Sequence, residues 1–173
     1  MPSTIEAGGY AYPTVETIGG QQVELNGTGV RKMAFFKVYS MGMYLPHKTT
    51  SATEALQMPG NKGFTLYMMR DLPMSLFMRL MIEGIETGAT DQELQALQPS
   101  IDRLKKSFEN VPPAKEGDKL TINWINGTGA VISLRGKVVG EPYTEPLFFR
   151  RIVNVWLGED PVQSNLKASL LKG

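Results

Sequence analysis

The segment from Asn26 to Leu45 constrains this chain more than any other. It reads Asn26-Gly27-Thr28-Gly29-Val30-Arg31, then Phe35-Phe36-Lys37-Val38-Tyr39-Ser40-Met41-Gly42-Met43-Tyr44-Leu45. Aromatic and bulky apolar side chains dominate its second half, as in a buried or half-buried strand. Met33 to Leu45 is therefore expected as one long strand, stopped by Pro46. Gly27 and Gly29 reach backbone conformations closed to other residues, so they predict a tight turn just before the arginine. Arg31, flanked by so much apolar surface, is expected at the charged end of an apolar pocket. Such a pocket suits an amphipathic anion, because guanidinium makes forked hydrogen bonds to a carboxylate.

The rest of the chain frames that strand. Residues 1–20 read as a flexible arm, and residues 21–173 as a single domain. Gln21 to Leu25 and Phe64 to Met69 read as strands. Pro73 to Glu86 carries Leu76, Phe77, Leu80, Met81 and Ile85 at helical spacing, and Asp91 to Phe108 carries Leu94, Leu97, Ile101, Leu104 and Phe108. Pro99 predicts a kink or a break in that second helix. Lys119 to Ile125 alternates as a strand, Asn126-Gly127-Thr128-Gly129 is a hairpin turn, and Ala130 to Leu134 and Lys137 to Gly140 follow. Leu147 to Leu157 and Gln163 to Leu171 read as closing helices. Strands on both flanks with helices in the middle and at the end imply an α+β fold, an antiparallel sheet with helices on one face.

Composition excludes several functions. The net charge is +1, which gives no bulk attraction to nucleic acid or to anionic membranes. No apolar run approaches the roughly 18 residues of a membrane span. There is no cysteine, so disulfides and thiol catalysis are excluded. His47 is the single histidine and reads as an exposed loop residue, so neither a metal site nor a serine-histidine triad is expected. No cofactor is expected either. The start of the chain shows no basic segment followed by an apolar one, as a signal peptide would.

Three segments together carry a family resemblance. Gly27-Thr28-Gly29-Val30-Arg31 with the strand after it is the first. Arg70-Asp71-Leu72, between a strand and a helix, is the second. Val155-Trp156-Leu157-Gly158-Glu159-Asp160-Pro161-Val162, with Leu166-Lys167 and Leu170-Leu171, is the third. Their order and spacing resemble the chalcone isomerase-like fold in its bacterial form, over residues 23–173. The resemblance implies an open-faced β-sandwich, a large antiparallel sheet packed against a helical layer. In plant chalcone isomerases an arginine after the glycine turn polarises the substrate; in fatty-acid-binding relatives it holds the carboxylate. Arg31 matches it. Many bacterial relatives resemble exported proteins, which points to a periplasmic or secreted location.

The resemblance also marks what differs. Tyr39 stands where the isomerases have a threonine that organises the catalytic water. It reads either as a structural tyrosine with its hydroxyl tied to backbone or as a ligand contact. Val155 stands in place of a threonine or serine, beside Asn154, and valine cannot hydrogen-bond a phenolate. The tyrosine and asparagine expected in the middle helices have no match in residues 88–106. Ring closure needs donors at the ketone oxygen and a cation at the phenolate, and most of that set looks missing. Met41, Met43, Met68, Met69, Met74, Met78 and Met81 read as adaptable core filling or as a deformable cavity, with Phe35, Phe36, Phe77 and Trp156 as walls. Asp71 reads as a helix cap or as a partner for Arg70.

The expectation is a binder of a small amphipathic ligand, a fatty acid or a flavonoid-like molecule, with little or no catalysis. Its contacts would be Arg31, Tyr39, Met41, Phe36, Asn154 and Val155. One alternative is an isomerase closing a chalcone, with Arg31 and Tyr39 catalytic. The other is an interaction module with a collapsed pocket.

Overall fold

A computed structural model describes residues 3–173. β1 (Thr4–Ala7) and β2 (Tyr10–Pro13) pair as a hairpin. β3 (Val15–Ile18), β4 (Gln21–Met33), β5 (Phe36–Leu45), β6 (Lys62–Met68), β7 (Lys119–Ile125), β8 (Gly129–Leu134) and β9 (Lys137–Val138) make one antiparallel sheet whose spatial order is their chain order. α1 (Ala52–Gln57) joins β5 to β6, while α2 (Met74–Glu86) and α3 (Asp91–Phe108) lie between β6 and β7. α4 (Pro146–Leu157) and α5 (Ser164–Leu170) close the chain. This is the expected α+β architecture.

The alternation of β5 is a two-sided one. Tyr39, Met41, Met43 and Leu45 join Phe64, Leu66 and Met68 of β6 in the main core, with α2, α3 and α4 above them. Tyr44 faces the other way, into a second core with Tyr12, Ile18, Val23 and Leu25. Tyr39 and Tyr44 thus point to opposite faces, as their odd spacing requires. Residues expected as a flexible arm supply part of that second core, Tyr12 and Ile18. Residues 3–20 of that stretch form β1, β2 and β3, and residues 1–2 lie outside the described ones. Tyr12 is buried there and donates to Ser40 Oγ at 2.7 Å, while the Ser40 hydroxyl donates to the Ala7 carbonyl at 2.8 Å. Tyr44 donates to the Pro13 carbonyl at 2.8 Å, and Tyr10 stacks on Tyr67 with ring centroids 4.7 Å apart. The small polar composition of the arm concealed a tyrosine latch.

The glycines before Arg31 serve a different purpose from the expected turn. β4 continues through Gly27 and Gly29, with a register irregularity at Asn26, and the real reversal is at Ala34-Phe35. A Cβ on Gly27 would stand 2.2 Å from the Ser169 carbonyl oxygen, and one on Gly29 would stand 2.6 Å from Leu166 Cδ1. The glycines let α5 lie directly on the strand. Asn26 secures the same junction: its amide donates to the Leu170 and Thr49 carbonyls at 2.7 and 3.0 Å and accepts from Thr49 N at 2.8 Å. That buried asparagine is spent on structure.

Elsewhere the local rules hold. Thr90 and Glu93 form a reciprocal capping box at the start of α3. α3 continues through Pro99 as one helix; Pro99 is exposed, so the Gln95 carbonyl that loses its helical partner faces water. Lys62, buried, donates to the Ala55, Leu56 and Met58 carbonyls at 3.0, 3.1 and 2.7 Å and so closes the end of α1. Asp71 neither caps α2 nor pairs with Arg70; its carboxylate accepts from Glu116 N at 2.9 Å.

Gly42 makes room for the latch, since a Cβ there would sit 2.9 Å from the Tyr12 ring. Gly42→Val should lower unfolding free energy by about 1–3 kcal/mol through overpacking. Urea denaturation of the two proteins measures it, and equal stability would show that the hairpin does not bear on that face.

Candidate functional site

β4 and β5 place Arg31 directly opposite Tyr39 in the ladder. Residues paired in this way project from the same face of a sheet. The two residues lie on neighbouring strands, with a register shift beside them. Both line a cleft of about 240 Å³ at the edge between the sheet and the helices. α2 contributes Phe77, Leu80, Met81, Glu83 and Gly84, and α4 contributes Val155. Asp160, Pro161 and Val162 of the α4–α5 connection form the facing wall. Val162 N donates to the Val155 carbonyl at 3.0 Å, which pins that wall to α4.

Tyr39 is 5% exposed. Its hydroxyl oxygen accepts from Trp156 Nε1 at 2.8 Å, and its ring meets Phe77 edge-on. No acceptor for the Tyr39 proton is found among the described residues. Burial pushes its pKa up to about 12, against the Trp156 hydrogen bond and the nearby Arg31 charge, which both lower it. At neutral pH it is a neutral donor.

Arg31 has no ion-pair partner among the described residues. Its Nη1 donates to the Lys32 carbonyl at 2.8 Å and to Gln163 Oε1 at 3.4 Å. Guanidinium has five N–H groups, so most of the fork is unspent. Gln163 is the residue that sequence reasoning missed. Its side chain also accepts from Lys32 N at 2.8 Å and donates to the Val30 carbonyl at 2.9 Å, tying the start of α5 to β4 beside the arginine. The Pro161-Val162 pair immediately before it was visible as a closing motif, but nothing in the pattern gave Gln163 its contact.

The remaining expected residues separate. Val155 lines the cleft with Arg31 and Tyr39. Met41 is fully buried in the main core on the same sheet face as Tyr39, outside the cleft lining. Asn154 lies outside too: its amide donates to the Gly84 and Thr87 carbonyls at 3.2 and 3.1 Å, beside Arg151 donating to the Ile85 carbonyl at 2.8 Å. The pair satisfies carbonyls at the end of α2 that the helix itself leaves open. Phe36 is 54% exposed at the β4–β5 turn, with the Arg70 guanidinium 4.0 Å from its ring centre, and does not reach the cleft. Of the methionines, Met41, Met43, Met68, Met74, Met78 and Met81 are in the main core, and Met81 also lines the cleft. His47 is on an exposed loop, 3.9 Å from the Glu54 carboxylate.

The arrangement can hold one anionic group between a cation and a neutral hydroxyl, with an apolar chain or ring against Phe77, Leu80, Met81, Val155 and Val162. Glu83 and Asp160 stand on the rim. Their charge opposes an anion in the cleft, against which Arg31 is the one basic residue of the lining.

A family model described as chalcone isomerase-like matches residues 4–172. No curated protein matches the sequence. Among solved structures, the Arabidopsis thaliana fatty-acid binding protein AtFAP1 superposes with a TM-score of 0.77 at 15% identity, over 98% of this chain and 96% of that one. At that identity the likeness is one of fold.

The buried phenol has a pH signature. Its folded pKa of about 12 lies above the ordinary tyrosine value of 10, so the stability it contributes is complete below pH about 10 and is lost as pH rises to about 12. The loss attributable to Tyr39 is about 2–3 kcal/mol. Tyr12 and Tyr44 are shifted in the same direction by burial. Urea midpoints across that window should fall more steeply for wild type than for Tyr39→Phe. Parallel curves would mean that Tyr39 ionises as freely in the fold as in the unfolded chain.

Proposed function

The chain belongs to the chalcone isomerase-like family, and we propose that it binds a small amphipathic carboxylate, a fatty acid above all, with little or no catalysis. One observation carries the reading. An arginine without an ion pair and a buried tyrosine with an unspent proton stand side by side at the head of an apolar cleft. A carboxylate accepts from both at once, and charge-assisted bonds of this kind are the strong ones. The fatty-acid binding of the Arabidopsis structural neighbour supports the choice of ligand.

The cleft of about 240 Å³ is below the range of about 300–1,000 Å³ usual for drug-sized ligands. It takes the head of a fatty acid and the first part of its tail. A longer tail needs Met81 and its core neighbours to change rotamer, which thioether side chains do at low cost. Ring closure of a chalcone asks for more donors than the cleft lining offers. Val155 presents methyl groups where a hydroxyl would be needed, and Thr87 is the remaining uncharged polar side chain of the lining besides Tyr39.

Native mass spectrometry with saturated fatty acids of increasing length tests the reading. Wild type should retain one fatty acid per chain. Arg31→Ala should weaken retention by at least about tenfold, the scale of a hydrogen-bonded charge. Tyr39→Phe should weaken it less. Absence of any adduct in wild type, or equal retention in Arg31→Ala, would overturn it.

A further inference from the structure

The turn between β4 and β5 is built against its own stability. Met33 pairs with Phe36, which leaves Ala34 and Phe35 as the two central residues of the hairpin. Ala34 has φ of 52°, a left-handed conformation that glycine or asparagine takes at lower cost. Lys32 pairs directly with Lys37, and like charges opposite one another destabilise a ladder. Phe35 is 100% exposed, Phe36 is half uncovered, and Met33 stands beside them. The other exposed large apolar residues, Ile5, Val15 and Val138, stand on separate strands. Among the described residues, only this tip gathers several.

Charge surrounds the apolar tip on both sides. Lys32 and Lys37 flank it along the two strands, and the Arg70 guanidinium covers one face of Phe36 at 4.0 Å. The overall net charge of +1 conceals this local concentration. Aromatic side chains favour the headgroup level of a bilayer, and basic residues near them are drawn to anionic lipids. A lipid surface relieves two of these three unfavourable features: it takes up Phe35 and Met33, and it neutralises the opposed lysines.

We propose that the β4–β5 tip, with Phe35 as its wedge and Lys32, Lys37 and Arg70 as its basic collar, docks this protein reversibly on an anionic membrane surface. Met33 belongs to the tip and also lines the ligand cleft. A docked tip therefore holds the mouth of the cleft at headgroup level, where an amphipathic acid can exchange without crossing water. That consequence rests on the ligand reading; the docking itself does not.

Vesicle flotation without added fatty acid tests the docking. Wild type should float with vesicles of phosphatidylcholine containing phosphatidylglycerol, remain behind with phosphatidylcholine alone, and be released by salt. Phe35→Ser should reduce flotation by at least about tenfold, the scale of exposing a large apolar side chain. Lys32→Gln with Lys37→Gln should reduce it about thirtyfold, given the attraction expected per basic residue at such a surface. Phe35 is wholly exposed and outside the cleft, so Phe35→Ser should keep its fatty-acid retention in solution. Loss of flotation there without loss of retention separates the two sites. Failure of wild type to float on anionic vesicles, or flotation of both variants at the wild-type level, would overturn the proposal. So would self-association through the tip without vesicle binding, a concentration-dependent dimer abolished by Phe35→Ser.

Discussion

Burial of β5 on both faces is the constraint from which the rest follows. From Val38 to Leu45 every residue is buried, so the strand must be covered twice. Helices α2, α3 and α4 cover one side, and the β1–β2 hairpin with its tyrosines covers the other. A strand covered in this way has its register strongly specified, because a slip of one residue would exchange the two faces. Fixed register puts Tyr39 beneath α4, where Trp156 meets its hydroxyl, and opposite Arg31 on β4.

The second dependence runs through α5. Gly27 and Gly29 let that helix approach β4, and Asn26 locks its end. The same approach delivers Gln163 to Arg31 and Val162 to the cleft wall. The arginine is therefore held by Lys32 beside it and by Gln163, 132 residues further along the chain. Held by neutral partners alone, it keeps its charge available. The result is a site with a fixed head and an adaptable floor: the phenol is fixed by packing and the cation by hydrogen bonds, while Met81 and Leu80 supply deformable surface.

Much of the fold was legible because periodic segments announce themselves. The bounds of α3 and β7 match the pattern read from the sequence, and α2, α4 and α5 differ from it by single residues. The misread parts share a physical reason. Gly27 and Gly29 look like turn residues in isolation, and only the position of α5 shows that they are absent side chains in a packed strand. Residues 3–20 look unstructured because no local pattern connects Tyr12 to Ser40, 28 residues away. At the site, Arg31 and Tyr39 come together by cross-strand pairing, and Val155 reaches the same cleft from α4. Asn154, one position from Val155, does not share its direction, since adjacent helical residues face different ways. Phe36 was misplaced along with the turn: once the reversal moves to Ala34-Phe35, the aromatic pair leaves the pocket for the tip.

The central claim is that a ligand carboxylate sits between Arg31 and Tyr39. Carbon NMR of a fatty acid labelled at its carboxyl carbon, bound to the protein and titrated with acid, reads that contact directly. The account predicts a bound carboxyl that stays ionised to lower pH than the same acid bound to Arg31→Ala. A carboxyl resonance that titrates identically in the two proteins would contradict it.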